Sequence, residues 1–405
     1  MPSEHARHWT LDPRVDFLNH GSYGAAPRVV MEAQRTWQAQ LEAEPVRFMA
    51  EAYEAGLDGA RRVLGAFVGA DADDLAFVTN ATSGVNTVLR SLRFAPGDEL
   101  LTTGHAYNAV RNAMEYAAER DGARVVVAEV PFPIASAAAV KEAILAATTP
   151  RTRLAVLDHV TSATALVLPV AELVAEMAAR GIETLVDGAH APGMLELELD
   201  SLGATYYAGN LHKWVCAPKG AGFLWVTRSR QPAIRPLVIS HGATSPRTDR
   251  SRFRLEFDWV GTNDPSAWLA VPTALDFGAS LLPAGWPALR QRNRDLALEA
   301  RDLLLAAIGS NPPAPDDMIG SMATIPLPWE AEPGTVDDVD LYGDPLSRAL
   351  RASGIQAMVT PWPQRPEGRP WRRLLRTSAA AYNDRSQFER LASVLPGLLA
   401  APLPR

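Results

Sequence analysis

Lys213 sits in the stretch "YYAGNLHKWVCAPKGAG", Tyr206 to Gly222, between a histidine and a tryptophan. An amine hemmed in by apolar neighbours is poorly hydrated when charged. Its pKa falls, and the neutral form becomes available for Schiff-base chemistry. A solvated surface lysine is the plainer reading of the same residue. Upstream, "ETLVDGAHAPG" ends an apolar run at Asp187, with His190 three positions on. A carboxylate there needs a partner, either a protonated ring nitrogen or the backbone of the next turn. Earlier still, "TNATSGVN" places small and hydroxyl residues ahead of a helical pattern. Such a start either cups an anion on backbone N–H groups or is a plain helix N-cap. The glycine and lysine spacing of a nucleotide phosphate loop is missing.

The elements that must position these residues alternate along the chain. "DLAFVTN", "DELLTTG", "ARVVVAEV", "TRLAVLDHV", "IETLVDGAH" and "ATYYAGN" read as strands, with amphipathic helical patterns between most of them. "AGFLWVT" follows as a possible antiparallel neighbour. Met31 to Val68 has helical spacing with a break at Pro45. The pattern predicts an α/β fold, a mainly parallel sheet flanked by helices. A long helix from about Pro287 to Ile308 leads to a smaller α+β region. The expected organisation is an N-terminal segment (1–18) packing near the active site, a large domain (19–285), and a linking helix with a small C-terminal domain (286–405).

Ligands of open parallel sheets gather at the carboxyl ends of the strands. Here those ends are Thr79–Gly84, Thr103–Asn108, Asp158–Thr164, Asp187–His190 and Asn210–Lys213. An acid after one strand, a lysine after the next and an anion cup upstream form the donor set for pyridoxal 5'-phosphate. The lysine takes the aldehyde, the acid the pyridinium nitrogen and the cup the phosphate.

Composition narrows the setting. The 405 residues suit a large domain plus a smaller one. With 47% hydrophobic and 21% charged residues, a sizeable core can be buried. The net charge of -7 argues against a nucleic-acid partner. One cysteine, Cys216, excludes an intrachain disulfide and fits a reducing compartment. No apolar run has signal-peptide or membrane-span character, so a cytoplasmic protein without membrane contact is expected.

Taken together, "FLNHGSYGAAPRVV", "TNATSGVN", "DHVTSATALVLPV", "LVDGAHAPG", "YYAGNLHKW", "WVGTNDPSAWLA" and "LLRTSAAAYND" resemble fold-type I pyridoxal-phosphate enzymes of the class V aminotransferase group. The similarity is greatest to the isopenicillin N epimerase-like branch. The resemblance implies that Lys213 binds the cofactor aldehyde and Asp187 its pyridine nitrogen. It implies that His190 and Ser162 contact the phenolic oxygen. Thr82, Ser83 and His212 match phosphate-binding positions, and Asn210 stands where the group often has serine. Tyr107, or else His105, matches the residue that stacks on the ring. Thr262, after Gly261, matches the loop that reaches the phosphate of a neighbouring subunit, which implies a homodimer. Arg376 matches the arginine that grips the substrate α-carboxylate. Asn19 and His20 are expected either at the substrate or in a turn.

The reaction is narrowed less than the cofactor. A typical cysteine desulfurase needs a cysteine late in the chain, and none follows Cys216. Cys216 reads as a small buried filler. Epimerisation by two bases needs an acid–base group opposite Lys213, a part open to Tyr107 or His105. The expected function is an epimerase-like enzyme that forms a Cα carbanion from an amino acid or a derivative. C–S lyase and aminotransferase are the alternatives, and the intact Lys213, Asp187 and Arg376 set argues against a non-catalytic binding protein.

Overall fold

The computed structural model describes residues 3–331, 343–365 and 371–400. Seven strands form the main sheet: β1 (Leu75–Val78), β2 (Glu99–Thr103), β3 (Arg124–Ala128), β4 (Thr152–Asp158), β5 (Glu183–Gly188), β6 (Tyr206–Asn210) and β7 (Gly222–Val226). Their order is β1-β7-β6-β5-β4-β2-β3. Neighbours from β6 through β3 are parallel, and β7 runs antiparallel to both β6 and β1.

Adjacent residues of these strands feed opposite cores. Leu101, Leu157, Val186 and Tyr207 join one cluster, while Leu100, Val156, Leu185 and Tyr206 join the other. This two-residue period, apolar on both faces, explains the near-continuous hydrophobic runs in the sequence. The helical pattern around Pro45 resolves into α1 (Arg28–Ala43) and α2 (Tyr53–Val68), separated by irregular turns. Helix α3 (Ala81–Ser91) leaves β1 and lies close over β6, where a Cβ at Gly84 would come within 2.9 Å of Ala208. Helix α4 (Asn108–Asp121) follows β2.

The long helix α5 (Gly285–Ile308) leads into a three-stranded antiparallel sheet. Its strands are β8 (Met322–Ala331), β9 (Met358–Trp362) and β10 (Trp371–Ser378), in the order β9-β10-β8. Helix α6 (Arg385–Ala400) packs with α5 over this sheet through Leu304, Leu305, Phe388 and Leu391. Leu18 belongs to the same core, and Asp16–Phe17 pairs in parallel with Ile355–Gln356. The start of the chain is thus stitched to its C-terminal part. No single described helix is long and apolar enough to cross a membrane.

Candidate active site

Lys213 follows β6 directly, at the carboxyl edge of the sheet. Its Nζ lies 3.1 Å from His190 Nε2. Burial lowers the amine pKa to about 7; the Arg376 charge adds to this and Asp187 opposes it. Asp187 closes the next strand, β5, and accepts the Ala189 N–H at 3.0 Å. Burial raises its pKa, against that hydrogen bond and Lys213. Burial also drives His190 well below its ordinary value, helped by Lys213. Its Nδ1 is buried with no hydrogen-bond partner among the described residues.

These side chains line one cavity of about 260 Å³. The N-terminus of α3 forms another wall, through Asn80, Ala81 and Thr82. The Asn80 side chain caps the helix by accepting the Ser83 N–H at 2.8 Å. Asn210 Oδ1, from the end of β6, accepts the Ala81 N–H at 2.8 Å. With its oxygen so engaged, Asn210 offers its amide nitrogen as donor. His212 lines the same cavity, and its Nδ1 lies 3.1 Å from the Ala221 carbonyl oxygen. The helix start is therefore both capped and turned toward the cavity.

Arg376, on β10, enters from the smaller sheet. Nη1 donates to the Ser162 carbonyl at 2.7 Å and to Ser162 Oγ at 3.3 Å. Nη2 donates to Ser22 Oγ at 3.0 Å and reaches Asn19 Oδ1 at 3.4 Å. The guanidinium is fixed before any ligand arrives, which suits planar recognition of a carboxylate. Tyr107, at the start of α4, also lines the cavity.

Asn19 and His20, expected either at the substrate or in a turn, stand in a turn behind the cavity wall. Asn19 braces Arg376. His20 is fully buried, with Nδ1 2.7 Å from the Tyr382 hydroxyl and Nε2 2.8 Å from the Lys213 carbonyl oxygen. That carbonyl can only accept, so Nε2 carries the proton and Nδ1 accepts from Tyr382. Gly24, at φ +69°, lets the same turn touch the lysine loop. A Cβ there would come within 2.0 Å of the His212 carbonyl oxygen. Lys219 Nζ holds the turn by donating to the Gly24 carbonyl at 2.9 Å.

The structure does not bring the His105 or Ser83 side chain to the cavity. His105 is buried against Trp362, with ring centroids 4.5 Å apart. Both of its nitrogens are engaged, one by the Thr164 hydroxyl and one by the Val130 carbonyl. Ser83 Oγ turns to Thr79 Oγ and Asn80 Oδ1. Thr262 is exposed on its loop. Conversely, Asp158, Ser22, Tyr23 and Met358 line the cavity without a role assigned from sequence. Ser22 and Tyr23 follow "NH" in "NHGSYG", a signal that was available. Met358 starts an ordinary apolar strand and carries none.

The donors present fit pyridoxal phosphate: a half-buried amine near neutrality, a buried carboxyl at the neighbouring strand end, a histidine with an unsatisfied nitrogen and a helix N-terminus. Comparison with known proteins agrees. The family model described as Aminotransferase class-V matches residues 19–308. The chain is 38% identical over 402 residues to isopenicillin N epimerase of Streptomyces clavuligerus, covering 96% of each. It is 32% identical over 429 residues to a putative L-cysteine desulfhydrase 2 of Oryza sativa subsp. japonica, covering 98% of this chain and 87% of that one. In fold it matches the crystal structure of the cysteine desulfurase CsdA from Escherichia coli, with a TM-score of 0.77 at 20% identity and 98% of each chain covered. The chain therefore belongs to the class V aminotransferase family and is a pyridoxal-phosphate-dependent enzyme of fold-type I.

Proposed function

We propose that this enzyme inverts the configuration at Cα of an amino acid or amino-acid-derived substrate. One observation carries the reading: a near-neutral amine, Lys213, and a phenol, Tyr107, line the same cavity, into which Arg376 is braced. Epimerisation needs one group to remove the Cα proton and another to return a proton on the opposite face. The cofactor, when bound, supplies the electron sink that makes Cα acidic. The chain's residues do the rest. Arg376 binds and orients the α-carboxylate. Asp187 presents its charge to the ring nitrogen, and His190 and Ser162 meet the phenolic oxygen. Thr82, His212 and Asn210 hold the phosphate at the start of α3. Lys213 takes the Cα proton, and Tyr107 delivers one from the other side.

The extent of similarity supports this reading, since the match to isopenicillin N epimerase spans both chains almost fully. A second reading, C–S lyase, has support in the match to L-cysteine desulfhydrases. That reaction needs Lys213 but no second base. Incubation with candidate amino acids in deuterated buffer separates the two. Epimerase activity puts solvent deuterium at an inverted Cα and stops in Tyr107→Phe. Pyruvate or sulfide release at the rate of substrate loss would replace it with the lyase.

A further inference from the structure

Asp158 closes β4 as Asp187 closes β5. The strands are parallel and in register there, with Asp158 the Cα partner of Asp187. Residues paired this way project from the same face of the sheet. Both line the active-site cavity, and each is only 5% exposed. The surroundings of the two differ. Asp187 has the Ala189 N–H and the positive field of Lys213. Asp158 has the Tyr107 backbone N–H, and the charge nearest to it in effect is Asp187 itself. Other titratable groups around this edge are His190 beside Lys213, and Arg376, whose Nη atoms hold Ser162, Ser22 and Asn19. The adjoining His159 is engaged by the Tyr207 hydroxyl at 2.9 Å. His105 is held by Thr164 and Val130. Two buried carboxyls side by side do not both ionise, because burial and mutual repulsion both favour keeping one proton. Burial first and then Asp187 push Asp158 well above the usual carboxyl range.

We propose that Asp158 is a positioning residue that stands as a neutral carboxylic acid beside Asp187, keeping the pair at one negative charge and leaving that charge on Asp187. Its consequence for the cofactor rests on the reading of Asp187 as partner of the ring nitrogen. Asp158 then holds the Tyr107 backbone without a second negative charge under the ring.

Two measurements on the full-length protein test this. Difference infrared spectra of wild type against Asp158→Asn read the carbonyl stretch of a protonated carboxyl, in cofactor-loaded and cofactor-stripped samples. The band is expected in wild type at pH 8 and absent from the variant; no such band in wild type overturns the proposal. If Asp158→Asn does not fold, Asp158→Glu keeps an acid there, and a wild-type band unmoved by that change overturns it equally. The second measurement is a pH titration of the visible cofactor band of the holoenzyme. Asp158→Asn replaces one neutral group by another, so the midpoint stays within about 0.3 pH unit of wild type. Asp187→Asn removes a charge and moves it by more than about 1 unit. Equal shifts in the two variants overturn the proposal. A chain that bound no pyridoxal phosphate would defeat the functional reading, while the infrared band would still decide the state of Asp158.

Discussion

Lys213 carries the sharpest expectations. Its half-buried amine is lowered by desolvation to about pKa 7, so it is mostly protonated below that pH and mostly free above it. The rate at which cofactor-free protein captures pyridoxal phosphate should therefore rise with pH through about 7 and then level. An exposed lysine would keep rising toward its ordinary value near about 10.4. Stopped-flow absorbance distinguishes the two profiles. Lys213→Ala should lose the cofactor band and at least about 10³-fold in turnover, since it removes both the covalent attachment and the proton carrier. Arg376→Ala should lower kcat/KM at least about 10–150-fold, the loss of one charge-assisted hydrogen bond, with the cofactor spectrum retained. Lys213 and Asp187 were legible in the sequence because each ends an apolar run. Arg376 was not, because its strand lies far along the chain and only the resemblance pointed to it. The bracing of its guanidinium by Ser22, Asn19 and Ser162 depends on contacts between distant segments that no local pattern encodes.

At the scale of elements, the parallel sheet was legible from alternation alone. Long-range contacts decided what followed. "TNATSGVN" read as either a cap or an anion cup, and the structure shows the cap, through Asn80, with the helix start lining the cavity. His105 and Tyr107 are two residues apart, yet Trp362 and Phe132 cover the first while the second reaches the cavity. The N-terminal turn is the least legible element, since its purpose lies in touching the lysine loop. Gly24→Ala tests it. The change forces a left-handed residue, costing about 1–2 kcal/mol, and drives a methyl group into the His212 carbonyl. A drop in Tm and a weaker cofactor Kd are expected together. A lowered Tm with unchanged Kd would separate the turn from the site.

For the whole molecule, the chain's ends and its partners matter. The strand pair of Asp16–Phe17 with Ile355–Gln356 and the placement of Leu18 tie the N-terminal segment to the C-terminal core. We propose a homodimer in which Thr262 reaches the neighbouring site. Light scattering should give twice the 43.7 kDa chain mass. Thr262→Ala should weaken cofactor binding about 10–150-fold, the scale of one hydrogen bond to a charged group, without dissociating the dimer. Complementation supplies a second check. Mixed dimers of Lys213→Ala and Thr262→Ala chains should regain one fully equipped site, and unmixed ones none.

Cys216 stands three residues beyond Lys213, near His20, with its thiol pushed up to about 12 by burial. At neutral pH hardly any of it is thiolate, and as a half-buried side chain it is reached by reagent more readily when the segment opens. The chain has no other sulfhydryl. Alkylation kinetics, followed by mass, therefore act as a clock on the breathing of the lysine loop, with no label to introduce and no competing signal. Loading the protein with cofactor should slow that clock, and the ratio of the two rates measures how firmly the loop is clamped.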